Sequence, residues 1–127
     1  MSGLAGAGIL VTRPAGQAAR LAHLVRESGG EPVLFPALEI EPLDVAGLDA
    51  GADYDLLIFA SPNAARFGLP VVRNAIGSHA KIAAIGTGTV AELKKAGVED
   101  IISPTSGHDS EALLAELSDM TAHRALP

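Results

Sequence analysis

The sequence contains no cysteine and no tryptophan, and only one tyrosine and three phenylalanines in 127 residues. The missing cysteines exclude disulfide staples, thiolate catalysis and cysteine-ligated zinc. Aromatic side chains, at 3%, are too few for the stacking platforms that read RNA. Positive charge is scarce as well: nine Lys and Arg face fifteen Asp and Glu, a formal charge of −6. A phosphate-backbone binder needs the opposite balance, so no nucleic-acid partner is expected. No apolar run approaches the about 20 residues that span a bilayer, and the first residues lack the basic start and long apolar core of a signal peptide. The expectation is a cytoplasmic protein with no membrane partner. His23, His79, His108 and His123 have no metal-ligand spacing with one another or with carboxylates, so no metal site is expected.

What remains is aliphatic. With 48% hydrophobic and 19% charged residues the balance is that of a globular domain whose core is packed by Ala, Leu, Ile and Val. The organising stretch is Asp55-Leu56-Leu57-Ile58-Phe59-Ala60-Ser61-Pro62-Asn63-Ala64-Ala65-Arg66-Phe67. Its unbroken apolar run suits a parallel strand covered on both faces. Ser61 is a good helix N-cap and Pro62 suits the first helical position, where a missing N–H costs nothing.

The same grammar recurs along the chain. Residues 1–8 read as a mobile, small-residue lead. Ile9-Leu10-Val11 is a strand, Ala18, Leu21, Ala22 and Val25 repeat at helical spacing, Ser28-Gly29-Gly30 stops the helix, and Val33-Leu34-Phe35 is the next strand. Pro36 and Pro42 bracket an exposed extended arm. Asp-, Gly- and Ala-rich residues follow. This predicts a first strand-helix-strand unit with its arm over residues 1–42, a linker over 43–53, and a second α/β domain over 54–127.

Within that second part, Pro70 is expected to interrupt the helix after Pro62, with a short segment resuming from Val71 to Ile76. Lys81 to Ile85 is a strand, Gly86-Thr87-Gly88-Thr89 a turn, and Val90 to Ala96 a helix stopped by Gly97. Ile101-Ile102 is a short strand. Ser110 caps a helix to about Leu117, and Ala122 onward resembles the start of another strand. The fold class is therefore α/β: a parallel sheet flanked by helices, doubly wound and flavodoxin-like.

Four strand-to-helix turns would open on one edge of such a sheet: Thr12-Arg13, Ser61-Pro62-Asn63, Gly86-Thr87-Gly88-Thr89, and Ser103 to Ser110. Each hydroxyl alone is explained by capping. Together, hydroxyls and helix N-termini make a cradle for an anion. The candidate binding residues are Thr12, Arg13, Ser61, Pro62, Asn63, Gly86, Thr87, Gly88 and Thr89. Arg13 and Arg66 would have to offset the negative charge of the chain locally. Gly86 to Ala91 also spells G-x-G-x-x-A, but the ribose-binding acid of a dinucleotide site is missing: Glu99 and Asp100 precede the next strand instead of closing it. Ser61 lacks the flanking glycines of a nucleophile elbow.

Five stretches in order resemble the amino-terminal half of the uroporphyrinogen-III synthase family: Ile9-Leu10-Val11-Thr12-Arg13-Pro14, Leu34-Phe35-Pro36-Ala37-Leu38-Glu39-Ile40, Leu57 to Ala64, Ala84-Ile85-Gly86-Thr87-Gly88-Thr89, and Ser110-Glu111-Ala112-Leu113-Leu114. The resemblance implies a cofactor-independent lyase of tetrapyrrole and haem biosynthesis. Its substrate is hydroxymethylbilane, which loses its hydroxyl, inverts its last ring and closes to a macrocycle. It further implies that Thr12, Arg13, Ser61 to Asn63 and Gly86 to Thr89 line a cleft between two α/β domains. Family members are about twice this long, and the tyrosine the family uses near the cleft lies in the half not matched here; Tyr54 does not correspond to it. Individual catalytic residues are therefore not assignable, and little or no activity is expected of this portion alone. An incomplete sheet would be satisfied by exchange of elements in a homodimer or by merging of all strands into one four-stranded sheet. The rival reading is a small non-catalytic α/β module that binds an anionic ligand at the carboxyl edge of its strands.

Overall fold

A computed structural model describes residues 3–44, 54–73 and 79–124. The chain divides into two compact units, Met1–Leu43 and Asp44–Pro127. Their strands form two separate parallel sheets, one of two strands and one of three, so the merged four-stranded sheet, one of the two alternatives, is not formed among the described residues. The α/β class with parallel sheets and flanking helices is as expected.

In the first unit, β1 (Gly8–Val11) pairs with β2 (Glu31–Leu34) across α1 (Ala15–Glu27). α1 buries Ala18, Ala22 and Val25, a stripe at helical spacing whose small side chains allow close approach to the strands. Leu21, expected inward, stays 38% exposed. Before β1, Leu4 N–H donates to Ser28 O at 3.0 Å and Gly6 N–H to Gly29 O at 3.1 Å, so this part of the lead is tied down and satisfies carbonyls left over at the end of α1. β2 begins two residues earlier than the apolar run suggests, because backbone pairing does not require an apolar side chain at Glu31.

The two edges of this sheet differ chemically. Glu31 N–H donates to Ala7 O and Phe35 N–H to Val11 O, each at 2.9 Å. Alternation therefore turns the peptide groups of Pro32, Leu34 and Pro36 toward the outer edge of β2. Two of those three have no N–H, which closes that edge to another strand. The outer edge of β1, at Gly8 and Leu10, keeps its donors. After β2, Ala37 N–H donates to Thr12 O at 3.1 Å and the arm then runs exposed, with Leu38 at 68% and Leu43 at 81%. Of the expected linker, residues 45–53 lie outside the described residues.

The second unit is a parallel sheet of β3 (Leu56–Phe59), β4 (Lys81–Ala84) and β5 (Ile101–Ile102), in that order. One face carries the core, Phe59, Ala65, Leu69, Ala84 and Leu93, with Leu57, Ile82, Val90, Val98 and Ile101 packed against it. Leu93 is fully buried; truncating it to Ala costs about 2–5 kcal/mol by analogy with other core leucines. β3 is not covered on both faces, as its apolar run had suggested: it is an edge strand, and Ile58 remains 52% exposed on the other side.

Helix boundaries follow backbone satisfaction more than propensity. Residues 62 and 63 are helical, Ala64–Gly68 is a π-helical turn, and α2 (Leu69–Val72) continues it. Pro70 thus does not break the helix. The wider π turn just before it accommodates a residue that cannot donate and whose ring would crowd the preceding turn. Residues 74–76 of the expected resumption lie outside the described residues. α3 (Thr87–Lys95) starts three residues before Val90, so Thr87, Gly88 and Thr89 form a helical first turn and not a loop. It ends as read, on Gly97 at φ 85: Gly97 N–H donates to Lys94 O and Val98 N–H to Leu93 O, at 3.0 and 3.1 Å. α4 (Ser110–Arg124) is capped by Asp109, not Ser110, through Asp109 Oδ1 and Ala112 N–H at 2.9 Å. It continues through Arg124, so Ala122 to Arg124 are helical and not the start of a strand; residues 125–127 lie outside the described residues.

Candidate functional site

The three turns of the second unit meet because their strands are neighbours in register. Phe59 pairs with Ala84 at the carboxyl ends of β3 and β4, and Ile85 N–H donates to Phe59 O at 3.0 Å. This brings Ser61-Pro62-Asn63 beside Gly86 to Thr89. Pro62 and Gly88 touch: a Cβ placed on Gly88 would stand 3.2 Å from Pro62 Cγ. Ser61 Oγ accepts Ala64 N–H at 3.0 Å, the capping role read from the sequence.

Beside this pair lies a hollow of about 170 Å³, walled by Gly86, Thr87 and Val90 on one side and Ser103, Pro104 and His108 on the other. The lining contains no carboxylate. Gly86 sits at φ 86, a conformation that L side chains rarely adopt, and lets the chain turn sharply from β4 into α3. No side chain caps α3, and its first turn holds no acidic residue. Its leading N–H groups, with the positive end of the helix dipole, therefore stand without an internal anion.

Thr89 differs from its neighbours. It is 1% exposed, and its Oγ1 is a buried side-chain oxygen without a hydrogen-bond partner among the described residues. Arg66 is also placed differently from the role considered for it. Its guanidinium contacts Glu92 at two points, Nη2 to Oε1 at 3.1 Å and Nε to Oε2 at 3.5 Å, and Lys95 Nζ adds a third contact at 3.1 Å. These hydrogen bonds, Arg66 first and Lys95 second, hold the Glu92 carboxyl below its ordinary range despite some desolvation. Arg66 is thus committed to a carboxylate of its own chain. Thr12 and Arg13 are exposed in the first unit, after β1.

Ser103, Pro104 and His108 were absent from the candidate binding set, although they belong to the fourth polar turn recognised in the sequence. Only the pairing of β4 with β5, Ile82 to Ile101 and Ala83 to Ile102, shows that this turn faces Gly86 and Thr87.

Parallel strands flanked by helices, with polar turns and an uncapped helix N-terminus at the carboxyl edge, define an α/β protein of the flavodoxin-like class. The family model described as uroporphyrinogen-III synthase HemD matches residues 19–126. A protein of Methanocaldococcus jannaschii, provisionally named as a uroporphyrinogen-III synthase, is 33% identical over 123 residues, covering 89% of this chain and 48% of the relative. The chain belongs to the uroporphyrinogen-III synthase family. It spans about half the length of the curated relative it matches.

Proposed function

We propose that this chain carries part of the substrate site of a uroporphyrinogen-III synthase, a cytoplasmic lyase that cyclises hydroxymethylbilane with inversion of the last ring and needs no cofactor. The observation that carries this reading is the uncapped start of α3 beside the polar hollow, in a chain of this family. A substrate rich in carboxylates suits such an edge. N–H groups at Thr87 and Gly88 hold carboxylate oxygens, and Pro62 packed on Gly88 keeps the neighbouring turn in place. The chemistry then depends on folding a flexible linear molecule so that its two ends meet, a contribution of positioning more than of a strong acid or base.

Thr12 and Arg13, on the first unit, are proposed as further contacts to the same substrate. The first unit is proposed to complete its sheet by exchange of elements with a second copy, supported by the open edge of β1 and by Leu10, 59% exposed. The test of function is incubation with freshly generated hydroxymethylbilane followed by separation of the isomers. Binding with only the spontaneous type I product is expected of this chain. Type III product above background would overturn the claim of inactivity, and absence of any binding would overturn the assignment of the site.

A further inference from the structure

We infer that Arg66 and Arg73 are positioning residues: they lock α3 in axial register with the helix before it, and so set from a distance how the turn at Ser61-Pro62-Asn63 stands against the turn at Gly86-Thr87. The inference rests on the functional reading above for the molecule that those turns bind.

Gly88, Glu92 and Ala96 follow one another at intervals of four and form one stripe along α3, beside the stripe of Thr89 and Leu93 that enters the core. Each member of the Gly88 stripe meets a residue of the preceding helix, and each contact is of a different kind. At the start, the Pro62 ring stands 3.2 Å from where a Cβ on Gly88 would be. In the middle, the Arg66 guanidinium contacts both oxygens of Glu92, at 3.1 and 3.5 Å. At the end, Arg73 Nη2 donates to Ala96 O at 2.8 Å. Ala96 closes α3, and its carbonyl is one of those that a helix leaves without an internal partner at its negative end.

The spacing shows what the third contact does. Pro62 precedes Gly88 by the same 26 positions that separate Arg66 from Glu92, so the two helices advance in step over the first two contacts. Arg73 precedes Ala96 by only 23. Arg73 thus stands about one turn further along, and its long side chain reaches back onto the end of α3. A Cβ on Gly97 would lie 3.9 Å from the same Arg73 nitrogen, which places the guanidinium over the glycine turn that follows the helix.

The Pro62 ring limits approach but cannot hold α3 in place; the two arginines are the contacts that hold. Lys95 Nζ, on α3 itself, contacts the same Glu92 oxygen at 3.1 Å. Without Arg66, Glu92 keeps a partner but loses its tie to the other helix. Arg73 then remains as the hydrogen bond to the end of α3. A displacement there is carried by the rigid helix to Gly88, about 12 Å away.

The experiment compares wild type, Arg73→Ala and Arg73→Lys as full chains. Arg73 is exposed, so its truncation leaves the core in place. Backbone ¹H–¹⁵N spectra are recorded without ligand, well below the melting temperature, and affinity for freshly generated hydroxymethylbilane is measured by rapid filtration. In Arg73→Ala the amides of Asn63, Thr87 and Gly88 are expected to shift together with those of residues 94–98. Affinity should fall by about threefold to tenfold, as it does for substitutions that act on a site through packed elements. Arg73→Lys keeps a donor and a charge at the helix end and should restore most of both. A residue that only stabilises the fold would lower the melting temperature and leave the distant amides where they were. Shifts confined to residues 94–98, or unchanged affinity in Arg73→Ala, would overturn the proposal. Shifts transmitted to Thr87 and Gly88 in a chain whose wild type ignores hydroxymethylbilane would uphold the register lock and reject the tetrapyrrole reading.

Discussion

Pro62 rests on Gly88, the ring of one turn filling the space that a side chain on the other would need, at 3.2 Å from the absent Cβ. Both residues stand in the first helical turns that follow paired strands, so this contact sets the spacing of those two helix starts. Gly88→Ala brings two opposing effects. Helix propensity favours Ala by about 1 kcal/mol. Overpacking against a stiff ring costs about 1–3 kcal/mol. The clash is expected to win, with a net loss of about 1 kcal/mol in thermal or denaturant unfolding. Gly16→Ala, in α1 with nothing within 4 Å of the new Cβ, should show the propensity gain alone.

Glu92 links the stability of the second unit to pH. Its folded pKa is lowered by Arg66 and Lys95. The stabilisation is thus present above the ordinary glutamate range and is lost as pH falls through that range toward the lowered folded value. Melting temperatures of the wild type and Glu92→Gln should differ at neutral pH and converge in acid. A constant gap down to the most acidic pH tolerated would show that the carboxylate contributes nothing through its charge.

Thr89→Val tests whether the buried hydroxyl has a purpose. Val matches the shape and removes an unpartnered oxygen whose desolvation costs about 1–3 kcal/mol. A gain of about 1 kcal/mol in stability is expected. If Thr89 contributes to ligand binding, the same substitution lowers affinity while raising the melting temperature; unchanged affinity would remove Thr89 from the binding set.

Self-association is tested at the edge of β1. Sedimentation at micromolar concentration should give the mass of two copies, and Leu10→Lys, which places a charge on the exposed strand, should give one. A mass of one chain for the wild type would sink the exchanged dimer.

The order of strands and helices could be read from the chain because each depends on contacts within a few residues: the apolar run before Ser61, the hydroxyl of Ser61 three residues before Ala64, the glycine after α3. Four features could not be read this way. Asp109 and not Ser110 caps α4, a choice of one residue set by the geometry of the turn. The π turn that absorbs Pro70 depends on how a whole helix satisfies its backbone. Arg66 meets Glu92 from 26 positions away, a partner that no local pattern shows. Thr87, Gly88 and Thr89 look alike as a polar turn, yet once wound into a helix they point in different directions, and Thr89 is buried.

The sequence by itself therefore determined the class of fold, the polar character of the sheet's carboxyl edge and the family, since these rest on local patterns and their order. Tertiary structure alone decided which of those polar residues share a surface. Parallel pairing of β4 with β5 sets His108 and Ser103 across from Gly86 and Thr87, and which strands become neighbours is a long-range property that the local pattern of any one strand does not encode.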